Sequence, residues 1–168
     1  KCYENNYSTK GFKETDRLGG VDPYSASKAS AEIAVKAFRE SFFSKKNIVG
    51  ISTGRAGNVI GGGDWSQKRL IPESIKYLRS NKSIYLRNPN FNRPWQFVLE
   101  PLRGYLLLAM KQFYKPKKYS GAWNFGTEKN SGKSVKEIVE YIIELWGSGK
   151  LKESKQNKFY EQENLQLN

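Results

Sequence analysis

Apolar residues recur at helical spacing in four stretches of the chain, and each stretch predicts a helix. The first is expected over residues 23–46, because Asp22 is a good N-cap and Pro23 suits the first turn of a helix. The other three are expected over residues 69–80, after Glu100-Pro101, and from a capping box of Ser134 and Glu137 to Gly147.

Two of these helices carry a clear apolar stripe. In the helix after Pro101 the stripe consists of Leu102, Tyr105, Leu106, Ala109 and Phe113. In the last helix the expected buried face consists of Val135, Ile138, Val139, Ile142, Ile143 and Trp146.

Short β-prone runs between the helices predict strands over residues 48–53, 83–87, 94–98 and 123–126. A helix followed by a short buried strand is half of a parallel α/β repeat, so the alternation favours an α/β fold. Residues 1–21 are expected to be irregular, and the polar tail after Gly149 is expected to be weakly ordered.

A glycine-rich segment, residues 55–65, follows the first predicted strand and includes three consecutive glycines. Ligands of open α/β sheets bind beyond the carboxyl ends of the strands, where this segment is expected to lie as a loop. The glycines either allow the backbone to approach a ligand closely or form a mobile connector.

The composition is that of a globular domain: 168 residues, 38% hydrophobic and 27% charged. No apolar run is long enough for a membrane span, and no secretory leader opens the chain. Cys2 is the one cysteine and histidine is absent. No disulfide, histidine-based catalysis or cysteine- or histidine-ligated metal site is therefore expected within these residues, and a reducing cytoplasm suits the chain.

The net charge of +13 suggests an anionic partner, which could be a nucleic acid, a membrane surface or a small phosphorylated ligand. The lysines are dispersed along the chain, except for a looser cluster at residues 150–158. Such a cluster is more often a solvated surface than a binding site.

Tyr24 and Lys28 are four residues apart and are expected to lie on one face of the first helix. An ammonium beside a phenol favours the phenolate, so the pair can serve as a general base toward an alcohol. The spacing alone also occurs by chance in many helices.

Four arginines fall at predicted element ends or in loops: Arg55, Arg69, Arg87 and Arg93. Each alone is more typical of a surface, but four around a glycine-rich segment favour a diphosphate pocket. Asn58 and Asn124 either add amide contacts to a ligand or stabilise their own turns. Trp65 and Trp95 either wall a sugar or base or belong to the core.

These motifs resemble those of the extended short-chain dehydrogenase/reductases that act on nucleotide sugars, most closely their CDP-glucose 4,6-dehydratase branch. The matching segments are residues 1–5, 22–25 with Lys28, 55–65, 69–72, 87–89, 93–96 with 98–101, and 123–126. The Y-x-x-x-K element is common to the superfamily, whereas R-A-G-N-V-I-G-G-G-D-W and R-P-W-Q indicate the CDP-glucose branch.

The resemblance implies an NAD-dependent hydro-lyase that converts CDP-glucose to CDP-4-keto-6-deoxyglucose. Tyr24 resembles the base that takes the proton of the sugar 4-hydroxyl, and Lys28 the lysine that supports it and holds the nicotinamide ribose. Lys1 is similar to the last residue of the element that eliminates water across C5 and C6. Arg55 is expected beside the cofactor.

The resemblance also assigns the substrate side of the site. Arg93 and Asn58 resemble ligands of the substrate diphosphate. Arg69 and Leu70 begin the segment that resembles the lining of the nucleotide pocket. Arg87 and Asn124 complete the expected substrate-binding residues.

The implied fold is an incomplete Rossmann-like, doubly wound parallel sheet plus a smaller α/β substrate-binding domain. Residues 1–66 are expected to form the C-terminal half of the NAD-binding part, and residues 67–168 mainly the nucleotide-sugar-binding part, with about 93–125 returning to the first. The glycine fingerprint for the pyrophosphate and the C-terminal end of the family pattern are absent from the sequence. We therefore expect a middle-to-late fragment that is inactive and binds NAD poorly alone.

Two alternatives remain open. A 4-epimerase, or a dehydratase for another nucleotide, needs Tyr24 and Lys28 equally, and spacing does not reveal the nucleotide. A basic nucleic-acid-binding module is disfavoured, because the charge is dispersed and no nucleic-acid motif is present. The resemblance further implies a cytoplasmic homodimer, formed in part through the helix of Tyr24, that acts in bacterial polysaccharide synthesis without a membrane partner.

Overall fold

The computed structural model describes residues 2–4, 11–43, 49–128, 132–153 and 167. The α-helices are α1 (Pro23–Phe38), α2 (Leu70–Arg79), α3 (Leu99–Tyr114), α4 (Pro116–Tyr119) and α5 (Val135–Trp146), and a π-helix, Arg39–Phe43, continues α1. The strands are β1 (Ser52–Ala56), β2 (Asn58–Ile60), β3 (Ile84–Leu86), β4 (Asn92–Arg93), β5 (Trp95–Phe97), β6 (Gly121–Phe125), β7 (Lys133–Ser134) and β8 (Leu151–Glu153).

Strands β1 and β6 pair in parallel and have a helix on each face. On one face, the side chains of Thr53 and Arg55 hydrogen-bond to Glu32 of α1. On the other face, Gly54 lies against Tyr105 of α3. Because alternate residues of a strand point to opposite faces, α1 and α3 sandwich this pair, as a doubly wound α/β fold requires.

The remaining strands also form two-stranded pairs. β2 pairs with β5 and β3 with β8, both in parallel, whereas β4 and β7 are antiparallel. Two apolar clusters form the core. One joins Cys2, Tyr3, Phe12, Ala29 and Leu167, and the other packs α2, β3 and α5 together through Leu78, Ile84, Leu86 and Val139.

Helix α1 begins as predicted. The Asp22 side chain accepts a hydrogen bond of 2.9 Å from the Ser25 amide, which satisfies one of the free N–H groups of the first turn. The α-helix ends at Phe38, earlier than the predicted residue 46, because the backbone changes to a π-helix at Arg39. Residues 44–48 of the predicted helix and strand lie outside the described residues.

The first strand is displaced from its predicted position. It was expected at residues 48–53 but covers Ser52–Ala56, so Arg55 lies in a strand rather than in a loop. Thr53 and Arg55 tolerate this half-buried position because Glu32 pairs with both side chains. The predicted glycine-rich loop likewise contains strand β2, and only its glycine end is a turn.

Two further corrections concern apolar residues. Leu102, Leu106 and Phe113 of the predicted α3 stripe are 45%, 74% and 82% exposed. Helix α3 packs on the sheet through Gly104 and through Tyr105, a member of the stripe that does face the sheet. Trp146, expected on the buried face of α5, is also largely exposed. The other predicted helices and strands are confirmed with small shifts, including the capping box of Ser134 and Glu137 and the left-handed Gly147.

The tail contains a strand that its polarity did not predict. Leu151 lies opposite Ile84 in β8, and it packs against the cluster of α2, β3 and α5. Pairing with the open edge of β3 thus orders β8, whose sequence has no strong strand pattern of its own. Residues 154–166 lie outside the described residues. Within the described part of the chain, no helix has the length and apolarity needed to cross a membrane.

Gly104 permits the close packing of α3 on β6, and replacing it by alanine should destabilise the fold. A Cβ at this position would lie 2.3 Å from Cδ1 of Phe125. Overpacking of this kind costs about 1–3 kcal/mol. At Gly62 a Cβ would meet nothing within 4 Å, so Gly62→Ala is the matched control. Urea unfolding should separate the two variants, and equal stabilities would contradict the described packing.

Candidate active site

A cleft of about 1050 Å³ opens beside α1, where β1, β2 and the start of α2 meet. Eight residues predicted to act in a site line it: Tyr24, Lys28, Arg55, Asn58, Arg69, Leu70, Arg87 and Arg93. Asn124 is not among the lining residues of the described part of the chain, and Lys1 lies outside the described residues. The fold therefore brings most of the predicted site to one cavity.

Tyr24 and Lys28 lie on the α1 wall of this cleft. Both side chains are exposed, and the Lys28 Nζ atom lies 5.6 Å from the centre of the Tyr24 ring. The predicted i, i+4 geometry is therefore present, and it follows from the Asp22 cap that starts the helix. A phenol hydroxyl and an ammonium are thus presented together to any molecule in the cleft.

Arg55 lies inside the protein beneath these two residues. Its Nη2 atom donates a 2.7 Å hydrogen bond to Glu32 Oε2, and the two side chains are only 9% and 14% exposed. Thr53 donates to the same carboxylate oxygen at 2.7 Å. The role beside a cofactor that the resemblance suggested for Arg55 stays a prediction, and the Nη1 and Nη2 atoms of its guanidinium are engaged within the protein.

The other side of Arg55 connects to the N-terminal segment and to β6. Its Nη1 atom donates to the Tyr3 hydroxyl at 2.6 Å, and that hydroxyl donates to Asn124 Oδ1 at 2.6 Å. The side-chain Nδ2 of Asn124 in turn donates to the Phe12 carbonyl at 2.8 Å, and its backbone N–H donates to Glu14 Oε1 at 2.7 Å. Asn124 thus holds the N-terminal segment, and its predicted contact with substrate stays a prediction.

Burial and hydrogen bonding act against each other in this network. Burial raises the pKa of the Glu32 carboxyl, but the hydrogen bonds from Arg55 and Thr53 outweigh it and hold that pKa below the ordinary 4.5. Burial alone would lower the pKa of Arg55, but its hydrogen bonds to Glu32 and Tyr3 outweigh this effect and hold that pKa above the ordinary value. Burial raises the pKa values of Tyr3 and Cys2. Glu32 and Arg55 therefore remain an ion pair at neutral pH.

The lowered pKa of Glu32 predicts a loss of stability in acid. The pair's contribution is complete above the ordinary value of about 4.5 and disappears as the pH falls through the lower pKa of the folded state. The difference in unfolding free energy between the wild type and Glu32→Gln should therefore shrink below pH 4.5. Urea unfolding across this range tests it, and a difference that is constant with pH would contradict the ion pair.

The substrate-side residues fall into an exposed and a buried group. Arg69 is exposed at the start of α2, with Nη1 3.8 Å from Asp64 Oδ2, and Arg87 is exposed after β3. Arg93 is only 3% exposed and donates from Nη1 to the Asn92 carbonyl at 2.9 Å. Exposed guanidinium groups can reach a phosphate by small side-chain movements, whereas Arg93 offers a fixed donor.

The three consecutive glycines differ in their surroundings, and the choice between close approach to a ligand and a mobile connector stays a prediction. At Gly61 a Cβ would come within 2.9 Å of Val98, so this glycine allows close packing. Gly62 and Gly63 have open space around them, and Gly63 has a φ of +78°, which favours glycine. The segment is packed at its start and open at the mouth of the cleft.

Sequence reasoning missed Glu32, Tyr3 and Tyr85. Glu32 is one turn beyond Lys28 on the same helix, and this i+4 position was the available signal. Tyr85 lies between the buried Ile84 and Leu86 and is 55% exposed in the cleft, as strand alternation allows. Within the described residues no group of three histidine, cysteine, aspartate or glutamate side chains could hold a metal ion.

Comparison with known proteins identifies relatives of this fold and sequence. The chain is 46% identical over 151 residues to the CDP-glucose 4,6-dehydratase of Salmonella typhimurium, and the match covers 88% of this chain and 42% of the relative. The chain thus spans less than half the length of this curated relative.

Two solved structures share the fold. One is dTDP-glucose 4,6-dehydratase from Bacillus anthracis in complex with NAD, with a TM-score of 0.73 and 23% identity over 99% of this chain and 49% of that chain. The other is UDP-N-acetylglucosamine 4-epimerase from Methanobrevibacter ruminantium, with a TM-score of 0.76 and 20% identity over 99% of this chain and 50% of that chain. They confirm the predicted Rossmann-like α/β fold class.

The family profile of the NAD dependent epimerases/dehydratases matches residues 3–126, which include α1, β1, β2 and β6. The Tyr24–Lys28 pair and most of the lining residues of the cleft fall within this match. The chain therefore belongs to the NAD-dependent epimerase/dehydratase family.

Proposed function

We propose that this chain supplies the reacting and sugar-binding part of an NAD-dependent CDP-glucose 4,6-dehydratase. The observation that carries the proposal is the Tyr24–Lys28 pair, exposed on the wall of a cleft of about 1050 Å³ that arginines line. The 46% identity to a CDP-glucose 4,6-dehydratase supports the dehydratase over other members of the family. Because the chain covers 42% of that relative, the proposal concerns the complete polypeptide to which these residues belong.

The described residues fit one end of an NAD molecule. Tyr24 and Lys28 present a hydroxyl and an ammonium at the cleft, where they can hold a nicotinamide ribose. The G-x-G-x-x-G turn that usually holds the dinucleotide pyrophosphate is not present in the sequence, so these residues would hold only part of the cofactor. When bound, NAD supplies the hydride acceptor for the sugar C4.

Tyr24 starts the reaction in this proposal. As the general base, its Oη accepts the proton of the sugar 4-hydroxyl, while the C4–H bond breaks and a C4 carbonyl forms. The Lys28 ammonium stabilises the tyrosinate and orients the ribose beside it. The side chains stand on one helix face, so the proton acceptor and the cation keep their relative positions during the step.

Elimination follows from the product of the first step. The C4 carbonyl acidifies the C5 proton, so a base can remove it as the C6 hydroxyl leaves as water. The resemblance gives Lys1 a part in this step, and that role stays a prediction because Lys1 lies outside the described residues. The 4-keto-6-deoxy product forms when the hydride taken from C4 is returned to C6 and a proton is added at C5, which removes the C5–C6 double bond left by the elimination.

The substrate diphosphate is proposed to bind opposite α1. Arg69 and Arg87 are exposed cations of the cleft, and Arg93 and Asn58 are more buried donors. Leu70 adds an apolar surface for the nucleoside. The division into an NAD-binding part (1–66, with about 93–125) and a sugar-binding part (the rest of 67–168) belongs to the same proposal, as do a cytoplasmic homodimer and a role in polysaccharide synthesis.

A panel of nucleotide sugars tests the substrate. The complete polypeptide is incubated with NAD and with CDP-glucose, dTDP-glucose, UDP-glucose or GDP-mannose, and the products are analysed by mass spectrometry. Loss of one water from CDP-glucose ahead of the others is expected. A product of unchanged mass but altered sugar configuration would instead establish a 4-epimerase. Salt-sensitive nucleic-acid binding without turnover of any sugar would support the basic binding module.

A further inference from the structure

We propose that Arg55 is a positioning residue whose ion pair with Glu32 fixes helix α1 on strand β1, so that Tyr24 and Lys28 face the cleft. The proposal rests on the proposed function, because it takes Tyr24 and Lys28 as the reacting pair. It replaces the direct contact with cofactor that the resemblance suggested for Arg55.

Helical spacing connects Glu32 to the reacting pair. Tyr24, Lys28 and Glu32 are each four residues apart, so they form one slowly turning row along α1. Tyr24 and Lys28 are exposed at one end of the row, whereas the Glu32 side chain is 14% exposed at the other. A rotation of α1 about its axis would therefore move Glu32 and both reacting side chains together.

Few other side chains in the described structure fix the rotation of α1. The residues that it buries are Ser25 and Ala29, which are small and offer little area for interlocking. Of its larger apolar residues, Ile33 and Phe38 are 55% and 60% exposed, and Val35 is half-buried. The carboxylate of Glu32, with hydrogen bonds of 2.7 Å from both Arg55 and Thr53, is accordingly the most directional contact between α1 and β1.

Arg55 is itself held firmly at its other side. Its guanidinium carbon lies 5.0 Å from the centre of the Tyr3 ring, and Nη1 donates to the Tyr3 hydroxyl at 2.6 Å. Tyr3 is 2% exposed, stacks on Phe12 and donates to Asn124 of β6. The guanidinium thus bridges α1 to the core through two nitrogens in a fixed plane, which the single ammonium of a lysine cannot reproduce.

The test compares four variants of the complete polypeptide, Arg55→Met, Arg55→Lys, Glu32→Gln and Thr53→Val, with the wild type. Thr53→Val removes one hydrogen bond to Glu32 but keeps the ion pair. We measure kcat, KM for NAD and the deuterium isotope effect for CDP-glucose labelled at C4. Hydrogen exchange of the α1 amides supplies a readout that is independent of turnover.

Arg55→Met and Glu32→Gln are expected to lower kcat by about 10–100-fold, since a misplacement of about 1 Å has such effects. The isotope effect should rise, because breaking of the C4–H bond becomes the slow step, while KM for NAD stays within about twofold. Exchange of the α1 amides should accelerate in both variants. Arg55→Lys should fall between them and the wild type. Thr53→Val, which loses one hydrogen bond but keeps the ion pair, should show a smaller effect than Arg55→Met or Glu32→Gln.

Three results would overturn the proposal. An unchanged isotope effect, with kcat falling only as the folded fraction falls, would leave Arg55 a purely structural residue. A rise in KM for NAD in the Arg55 variants but not in Glu32→Gln would make Arg55 a cofactor residue. Unchanged exchange in α1 would show that the pair does not fix the helix. If the wild type turns over no nucleotide sugar, the proposed function is contradicted instead. Hydrogen exchange of the α1 amides then still tests whether the Arg55–Glu32 pair fixes the helix.

Discussion

Replacing Tyr24 by phenylalanine should lower the turnover of CDP-glucose by about 10²–10⁴-fold, the range that a positioned general base contributes. The phenylalanine keeps the aromatic ring beside Lys28 but removes the hydroxyl oxygen that accepts the proton of the sugar 4-hydroxyl. The effect should appear in kcat, because the substrate can still occupy the cleft. Steady-state kinetics of the complete polypeptide measures this loss of turnover. The absorbance at 340 nm of transiently formed NADH is a second signal.

Tyr85→Phe is the matched control for Tyr24→Phe. Tyr85 is a second exposed tyrosine in the same cleft, on β3 rather than on α1. Its variant loses the same atom and should keep turnover within a few-fold of the wild type. Comparable losses in both variants, or none in Tyr24→Phe, would remove Tyr24 from the role of base.

Replacing Lys28 by methionine should lower kcat by about 10²-fold and raise KM for NAD, since one preorganised cation near developing charge has effects of this size. Methionine keeps an unbranched apolar side chain without the ammonium that lies 5.6 Å from the Tyr24 ring centre. Two effects are expected because the same cation supports the tyrosinate and holds the ribose.

Lys36→Met controls for charge and helix propensity in the Lys28 experiment. Lys36 is exposed two turns further along α1 and does not line the cleft. Its variant should match the wild type in both constants. A Lys28→Met variant with unchanged kcat and KM would contradict the assigned pair, whatever the control shows.

Local signals predicted the parts of the fold that depend on neighbouring residues. The Asp22 cap of α1 and the Ser134–Glu137 capping box of α5 are formed by residues three apart, and both are present. Tyr24 and Lys28 belong to the same class, because four residues on a helix fix their proximity. These features could be predicted because nothing distant competes with them.

Features that depend on distant partners escaped prediction. Strand β1 continues past its β-prone run to Ala56, where Glu32, more than twenty residues away along the chain, satisfies Thr53 and Arg55. Strand β8 exists because β3 offers an open edge to Leu151. Each of these outcomes is determined by tertiary pairing rather than by propensity.

The same distinction separates the predicted site from the described one. Arg55 was expected to meet a ligand because a basic residue near glycines suggests a phosphate. Its partners Tyr3 and Glu32 are remote in sequence, so the sequence did not indicate them. The predicted contact of Asn124 with substrate stays a prediction. Its side-chain amide binds Tyr3 and Phe12 across more than a hundred residues, which its sequence neighbours did not indicate. Arg55 and Asn124 differ from Arg69 and Arg87 in burial: the first two are partly buried, whereas Arg69 and Arg87 are exposed.

The reaction of CDP-glucose with the complete polypeptide and NAD tests the central claim most directly. The 4-keto product is followed by its absorbance in base, and its mass must be that of the substrate less one water. We predict product with the wild type and its loss with Tyr24→Phe. Turnover of a different nucleotide sugar, with CDP-glucose unchanged, would contradict the proposed substrate, and equal product from the wild type and Tyr24→Phe would contradict the proposed site.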